Sequence, residues 1–400
     1  MTQPATPHRI RVLRIITRLN IGGPSIQAAR LTLGLSARGY TTTLLHGRLG
    51  EAEGDMRYLL PDTGVDVRYV DSLRRTISPV ADLRTLWIIL RTLREIRPAI
   101  VHTHMAKAGL LGRIAALIYN WTTGWNHPAR VIHTYHGHVL DGYFRPWQSA
   151  AFIRLECLLA RCTDVLIAIS PRVLDKLVEQ FRIAPRSTFH LVPLGFDLAA
   201  LGAVDDESRA VARAALGMPP DALVITTVGR LTAIKNHELF LEVAAIVARQ
   251  TPQARFLIVG DGERRAELER LATSAGLAER VRFLGWRRDL VTVYGATDIF
   301  VLTSRNEGTP VALIEAMAAG VPGVSTAVGG VPDVITDEDV GRSVASEDTD
   351  TLAAAIHTLS VSPEMRRTIG LRARASVLSR YAQERLVLDI VSLYDRVLHR

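Results

Sequence analysis

Short apolar runs alternate along this chain with longer amphipathic stretches, the pattern of α/β structure built on parallel sheets. In the first half the runs predict strands at Val12–Thr17, Thr41–His46, Val65–Val70, Ile100–His104, Val131–Tyr135, Val165–Ile169 and Phe189–Val192. Helical spacing fills the gaps at Ser25–Ala37, Ala81–Arg97, Ala108–Tyr119 and Trp147–Ala160. In the second half, strands are predicted at Leu223–Val228, Phe256–Val259, Val281–Leu284, Ile299–Leu302 and Val321–Ser325, with helices at His237–Gln250, Glu263–Ala275 and Pro310–Ala319. Pro193 to Asp206 holds no regular pattern and ends in an acidic cluster, which puts a domain junction there. The expected architecture is two doubly wound sheets in tandem. Such sheets bind ligands at the carboxyl ends of their strands, and a crevice between two of them suits a two-substrate reaction.

Composition agrees: 400 residues, at roughly 100–200 per domain, favour two domains. A content of 48% hydrophobic and 22% charged residues excludes a largely disordered chain, a collagen and a small disulfide scaffold. Charge is uneven. Residues 1–200 carry 25 Lys+Arg against 14 Asp+Glu, a net of +11; residues 201–400 carry 23 against 26, a net of −3. Only Lys107, Lys176 and Lys235 are lysines among the 48 basic residues. Cys157 and Cys162 lack a second pair for a zinc site and read as small buried apolar residues. No secretory h-region and no run of 18 apolar residues is present, so the expected address is the cytoplasm.

The richest chemistry lies in residues 303–322, TSRNEGTPVALIEAMAAGVP. Thr309 suits an N-cap and Pro310 the first helical position, with Gly320 as the stop. This helix is apolar on every side, hence buried, yet it carries Glu315, the only ionisable residue from Gly308 to Pro332. A buried carboxylate needs strong donors; the vicinal hydroxyls of a ribose would serve, and so would an arginine elsewhere in the chain. Glu307 falls in the loop at the helix mouth, where the amides of Gly308, Thr309, Pro310's neighbour Val311 and the positive helix end form an anion site. Upstream, VITTVGRLTAIKN (224–236) sets Gly229, Arg230 and Lys235 at a strand's carboxyl end. A planar fork plus a point charge is what a diphosphate needs, although an exposed lysine opening a helix is the plainer reading. Gly22 and Gly23 follow the first strand, where backbone can approach a phosphate or simply turn tightly.

Histidines are dense: His102 and His104 close one strand, and His133, His136 and His138 surround the end of another. Their spacings match no standard zinc site, so they are expected to line a polar cleft, with packing in the core the alternative for His133 and His136 best placed for catalysis. G-x-G-x-x-G is absent, which disfavours a dinucleotide site; there is no Walker loop and no G-x-S-x-G elbow. The triplets Asp337-Glu338-Asp339 and Asp348-Thr349-Asp350 read as solvated loops, not as a manganese site.

The ordered set of these blocks resembles the family-4 glycosyltransferases, retaining enzymes of the GT-B fold. Its marker is the E-x7-E spacing of Glu307 and Glu315 inside EGTPVALIEAMAAGVP. The Gly22-Gly23 loop, RPAIVHTH, TYHGH, AISP, GRLTAIKN and LIVGDG follow in the family's order, so the likeness covers almost the whole chain. Three departures are EGTP in place of E-x-F-G, no glycine after KN, and the extra histidine of HGH.

The resemblance implies two Rossmann-like domains facing across a cleft. Residues 1–195 plus about 380–400 would bind the acceptor, residues 196–379 the nucleotide-sugar donor, and the C-terminal helix Ala382–Leu398 would cross back to the first domain. It implies Arg230 and Lys235 on the diphosphate, Glu315 on the ribose, and Glu307 on the transferred sugar with the amides of Gly308 and Thr309. Backbone near Arg287 would read the base, most often uracil; Gly22 and Gly23 would close over the phosphates, and His136 would sit near the reacting sugar. It implies retention, no metal or other cofactor, and no glutamate nucleophile, although chemistry alone nominates Glu307.

A non-hydrolysing nucleotide-sugar epimerase shares the two-domain fold, but the E-x7-E block argues against it. A basic nucleic-acid-binding protein is the alternative of another class; the arginines spread over helices without interleaved aromatics, so no nucleic-acid partner is expected. Helix 80–97 and the segment 141–156 combine apolar residues with arginines. They suit an anionic membrane surface and a lipid-linked or glycan acceptor in cell-envelope or exopolysaccharide synthesis. Both would equally serve as core helices with arginines facing water.

Overall fold

The computed structural model describes residues 9–20, 22–50, 53–60, 64–123, 125–137 and 146–399. The chain divides into two compact units, Met1–Phe196 with Gln383–Arg400, and Asp197–Ala382. Unit 1 holds β1 Ile10–Ile16, β2 Tyr40–Gly47, β3 Asp66–Val70, β4 Ile100–His104, β5 Arg130–Tyr135, β6 Val165–Ala168 and β7 Phe189–Leu191. They form one parallel sheet in the order β3-β2-β1-β4-β5-β6-β7. Unit 2 holds β8 Leu223–Val228, β9 Ala254–Val259, β10 Val281–Gly285, β11 Ile299–Leu302, β12 Gly323–Thr326 and β13 Gly341–Val344. Its parallel order is β10-β9-β8-β11-β12-β13.

Both sheets reverse direction of winding once, beside β1 in unit 1 and beside β8 in unit 2. There the loops leaving two adjacent strands diverge and open a crevice, between β1 and β4 in one unit and between β8 and β11 in the other. Helices cover both faces, so the central strands are buried on both sides and read as near-continuous apolar runs. Arg14, fully buried in the middle of β1, departs from this, as do the buried His102 and His104 of β4 and His133 of β5.

The C-terminal helix Gln383–Leu398 belongs to unit 1. Its Leu386, Ile390, Leu393, Tyr394 and Val397 recur at helical spacing and join Val12, Leu31, Ile100 and Ile132 in one core. Helix Pro363–Tyr381, immediately before it, stays in unit 2 with Ile369, Ala373 and Val377 buried.

The structure adds elements that the apolar pattern does not reveal. Strand β13 is a short edge strand, GRSV, whose polar residues hide it. Helix Asp206–Ala215 begins inside the acidic cluster, because Asp205 and Ser208 form a reciprocal capping box. Asp348 is not loop: it caps helix Thr349–Ser360 through the amide of Thr351 (3.0 Å). The cysteines are free rather than buried, Cys157 half-buried and Cys162 exposed, because Cys162 lies beyond the end of helix Pro146–Ala160 in a turn. No helix among the described residues is long and apolar enough to cross a membrane.

Candidate active site

In unit 2 the loops leaving β8 and β11 are stitched together across the crevice. The amide of Arg305 donates to Ile234 O (2.9 Å) and the hydroxyl of Thr303 to Asn236 O (2.9 Å). Lys235 closes a 3₁₀ turn, Ala233–Lys235, just before helix His237–Gln250. Its Nζ meets Glu307 Oε1 at 2.5 Å, and the Ser304 hydroxyl donates to the same oxygen at 2.6 Å. The lysine side chain is 23% exposed and the glutamate 8%, so this pair is shielded on the carboxylate side and reachable on the ammonium side. Lys235 is therefore not an idle surface lysine. Arg230 is exposed, and its guanidinium has no partner among the described residues.

The helix after β11 runs Val311–Ala318. Pro310 occupies the N-cap position, with ψ at 78°, and Thr309 supplies no cap, so the helix starts one residue later than its sequence suggests. The Val311 amide closes on Thr309 O (2.9 Å) and drops out of the expected set of anion donors. The amides of Gly308 and Thr309 keep no partner among the described residues, and Gly308 is exposed. Gly320, at φ +75°, stops the helix as expected. Leu313, Ile314, Ala316, Met317 and Ala318 are buried, whereas Val311, Ala312 and Glu315 keep partial exposure.

Glu315 has no arginine partner among the described residues. Its Oε2 accepts from the Tyr294 hydroxyl at 3.0 Å, and burial pushes its carboxyl up to about 7, the tyrosine hydrogen bond opposing only part of that shift. Burial and the nearby Glu315 hold the Tyr294 phenol well above its ordinary range, so it stays a donor. Two further oxygen-facing donors, such as a diol, would favour the ionised form of Glu315.

Glycines set how closely these loops approach. Gly260 and Gly262 lie against the backbone of Gly229 and Leu231, and Leu231 N donates to Asp261 O (3.0 Å). Gly329, at φ +52°, and Gly330 lie against the carbonyls of Glu307 and Gly308, with Gly330 N bonded to Glu307 O (3.1 Å). A Cβ at 329 would overlap the Glu307 carbonyl and force the Glu307 loop to move. Gly329→Ala is expected to cut turnover at least tenfold. Gly276→Ala is also at positive φ but faces open space, so it should cost only about 1 kcal/mol of stability and leave turnover intact. Equal turnover of the two variants in a steady-state assay would contradict this role for the 329–330 loop.

In unit 1, His102, His104 and His133 do not line a cleft; all three are fully buried. His133 Nδ1 pairs with the Thr103 hydroxyl (2.8 Å) and its ring packs on Gly109. His102 bridges the Tyr394 hydroxyl at Nδ1 (2.7 Å) and the Thr134 hydroxyl at Nε2 (2.8 Å). His104 Nδ1 meets His136 Nε2 at 2.9 Å. Burial lowers all four imidazoles, His136 to about 3, so they are neutral at physiological pH. Among them only His136 keeps partial exposure. His138 lies outside the described residues, as do residues 141–145 of the aromatic segment. Gly22, at φ +156° and ψ 166°, precedes helix Gly23–Ser36, and its amide faces Met56 Sδ (3.4 Å). Arg287 is engaged by Asp289 at the surface (Nε to Oδ1, 2.8 Å), and its own side chain is not free for a ligand.

Sequence reasoning missed Ser304, Tyr294 and the Gly329-Gly330 loop. The glycine pair was visible as a chain breaker; nothing in the sequence links Tyr294 to a carboxylate 21 positions away.

Two parallel doubly wound units in one chain match the GT-B fold. A family model described as "Glycosyl transferase 4-like domain" matches residues 22–195, and one described as "Glycosyl transferases group 1" matches residues 208–376. The UDP-Gal:alpha-D-GlcNAc-diphosphoundecaprenol alpha-1,3-galactosyltransferase of Escherichia coli is 30% identical over 298 residues, 74% of this chain and 75% of that protein. The D-inositol 3-phosphate glycosyltransferase of Saccharomonospora viridis is 28% identical over 97% of this chain and 94% of its own. Anabaena HepE, solved in complex with UDP, matches with a TM-score of 0.81 at 21% identity, covering 97% of this chain and 100% of that one. The chain belongs to the family-4-type GT-B glycosyltransferases, enzymes that transfer a sugar from a nucleotide sugar to an acceptor.

Proposed function

We propose a retaining, metal-independent hexosyl or N-acetylhexosaminyl transferase that uses a UDP-sugar and acts in cell-envelope or exopolysaccharide synthesis. The observation that carries this reading is the Lys235–Glu307 pair spanning the β8/β11 switch point, with Glu315 on the following helix. Unit 2 takes the donor: Lys235 and Arg230 hold the diphosphate, Glu315 the ribose diol, and Glu307 with the amides of Gly308 and Thr309 the transferred sugar. Backbone near Arg287 reads the base. Unit 1 takes the acceptor, with Gly22 and Gly23 toward the phosphates and His136 toward the reacting sugar.

In this mechanism the bond from the anomeric carbon to the diphosphate oxygen breaks, and negative charge builds on the departing phosphate. Lys235, Arg230 and the helix mouth stabilise that charge, the part a metal plays elsewhere. The acceptor oxygen attacks the same face of the sugar, and its proton passes to the departing phosphate oxygen. Glu307 is tied to Lys235 and Ser304 through Oε1, which blunts it as a nucleophile. The E. coli relative acts on a diphosphoundecaprenol-linked sugar, and that name supports a lipid-linked acceptor here.

A thermal-shift screen of UDP-, GDP- and ADP-sugars in EDTA tests the donor, followed by proton NMR of the product. Stabilisation by UDP-sugars and an anomeric configuration equal to the donor's are expected. Inversion, a requirement for added metal, or a response to GDP- or ADP-sugars alone would overturn the corresponding part.

The proposed location is the cytoplasmic face of a membrane. Helix Pro79–Ile96 buries Thr85, Ile89, Thr92 and Leu93 but leaves Val80, Leu83 and Trp87 exposed beside Arg84, Arg91 and Arg94. An outward face that is both apolar and cationic suits an anionic lipid surface. The protein is expected to sediment with phosphatidylglycerol vesicles at low salt, and Leu83→Glu/Trp87→Glu to stay in the supernatant. No sedimentation of the wild type would count against the membrane contact.

A further inference from the structure

Unit 1 holds a cavity of about 340 Å³ at the carboxyl ends of β1, β2 and β3, on the side of β1 away from the β1/β4 crevice. No residue given a role in the proposed reaction lines it. Its walls are Leu19 after β1, His46 and Arg48 at the end of β2, Tyr69 on β3, and Asp55 and Arg57 from the chain that follows β2. That chain is fastened to the loop after β1. Asn20 and Asp55 form an antiparallel bridge, and Met56 N donates to Leu19 O (2.9 Å). The Gly22 amide faces Met56 Sδ, so the cavity sits beside the glycine loop.

The charge of the lining narrows what can fill it. Asp55 is its one carboxylate, and Arg57 occupies both oxygens, with its amide on Oδ1 (2.8 Å) and its Nε on Oδ2 (2.6 Å). This grip fixes the guanidinium and leaves Nη1 and Nη2 without a hydrogen bond among the described residues. Arg48 is held more loosely. Asp71 Oδ1 lies 3.9 Å from its Nη1, and that carboxylate already accepts from the Tyr69 hydroxyl (3.1 Å) and from Arg74 Nη2 (3.0 Å). Two guanidiniums against one saturated carboxylate make a positive wall with unused donors, which a phosphate fills with paired hydrogen bonds.

His46 supplies the complementary chemistry. Its Nδ1 lies 3.2 Å from the Gly47 carbonyl, which can only accept, so Nδ1 carries the proton. Burial lowers this imidazole below its ordinary range, so it is neutral at pH 7 and keeps Nε2 as an acceptor for a hydroxyl. The exposed Tyr69 ring lies beside it, centroids 5.6 Å apart, and offers an apolar face. Cations for an anion, an acceptor for a hydroxyl and an aromatic face for a ring together match a phosphorylated sugar. The volume is near the lower end of the roughly 300–1,000 Å³ range of small-molecule sites, which suits one hexose with its phosphate.

We infer that this cavity seats the phosphate-bearing sugar of the acceptor, with Arg48 and Arg57 on the phosphate and His46 Nε2 and the Tyr69 ring on the sugar. The inference rests on the reading that unit 1 takes the acceptor, and it names that acceptor's class: a hexose phosphate, either free or as the headgroup of a lipid carrier.

Calorimetry on the full chain tests it, with glucose 1-phosphate and N-acetylglucosamine 1-phosphate titrated in the presence and in the absence of saturating UDP. One-site binding of at least one of them is expected, at least tenfold tighter than its unphosphorylated sugar. Arg48→Gln and Arg57→Gln, both at exposed positions, should each weaken it at least tenfold. Arg68→Gln should leave it within about twofold, because that guanidinium is tied to Asp66 and Glu95 outside the cavity. No preference for the phosphorylated sugars, equal affinity in the Arg48 and Arg57 variants, or the same loss in Arg68→Gln would overturn the inference. Failure of UDP itself to bind would count against the proposed donor and not against the cavity, which the titration without UDP still tests. N-acetylglucosamine linked through a diphosphate to a citronellyl chain separates the sources. With the arginine dependence intact, tighter binding than the 1-phosphate supports a lipid carrier, and equal or weaker binding supports a free sugar phosphate.

Discussion

Lys235→Ala is expected to lower kcat by a factor on the order of 10²–10³, the usual cost of removing one preplaced donor to developing charge. The ammonium is reachable by a ligand while its carboxylate partner is shielded, so a diphosphate can add to the pair without first dismantling it. Removal of Lys235 also leaves Glu307 shielded with only the Ser304 hydroxyl at Oε1, and an uncompensated buried charge destabilises the fold. Two effects therefore overlap in this variant, and a second substitution separates them. Lys235→Ala/Glu307→Gln should recover thermal stability, because no unpaired charge remains, and should stay as inactive as Lys235→Ala. Recovery of activity along with stability would show that Lys235 is structural.

The second large effect concerns Glu315. Its carboxyl titrates at about 7 in the ligand-free protein, and only the ionised form can accept from both hydroxyls of a ribose. Donor kcat/KM should therefore climb tenfold per pH unit below about 7 and level off above it, and nucleotide binding near pH 7 should release a proton. Glu315→Gln should remove this pH step and lower kcat/KM at pH 8 at least tenfold. Stability moves the opposite way. Burial raises the folded pKa above the ordinary carboxyl value of 4.5, so the native state holds more protons between 4.5 and about 7. The contribution of this group to stability is complete below 4.5 and is lost as pH rises through about 7. Glu315→Gln should thus melt higher than the wild type at pH 8 and lose that advantage by pH 5. A variant less stable at pH 8 would mean that the charge is satisfied within the protein and is not waiting for a ligand.

These two residues also show what the chain discloses before it folds. Glu315 was legible because a lone ionisable group in an apolar helix is costly and demands an explanation. Its partner Tyr294 was not, since only packing of helix Leu290–Ala296 beside Val311–Ala318 brings the two together. Lys235 stood out by its rarity among arginines, but its contact with Glu307 depends on β8 and β11 being neighbours. Strands flanked by helices on both sides were readable from apolar runs alone, while β13 at the sheet edge was hidden by its polar residues. The histidines misled for a related reason. Their polarity suggests a cleft, yet the hydroxyls of Thr134 and of Tyr394, 292 positions away, supply the partners that let His102 sit in the core. Polar residues are placed by their partners, and partners distant in sequence leave no local signal.

The central claim is that unit 2 binds the donor nucleotide through Lys235 and Glu315. Calorimetric titration of UDP in EDTA into the wild type, Lys235→Ala and Glu315→Ala tests it most directly. Saturable one-site binding to the wild type, weakened at least tenfold in each folded variant, is the predicted result. Equal affinity in all three proteins, or no binding of UDP to the wild type, would contradict it.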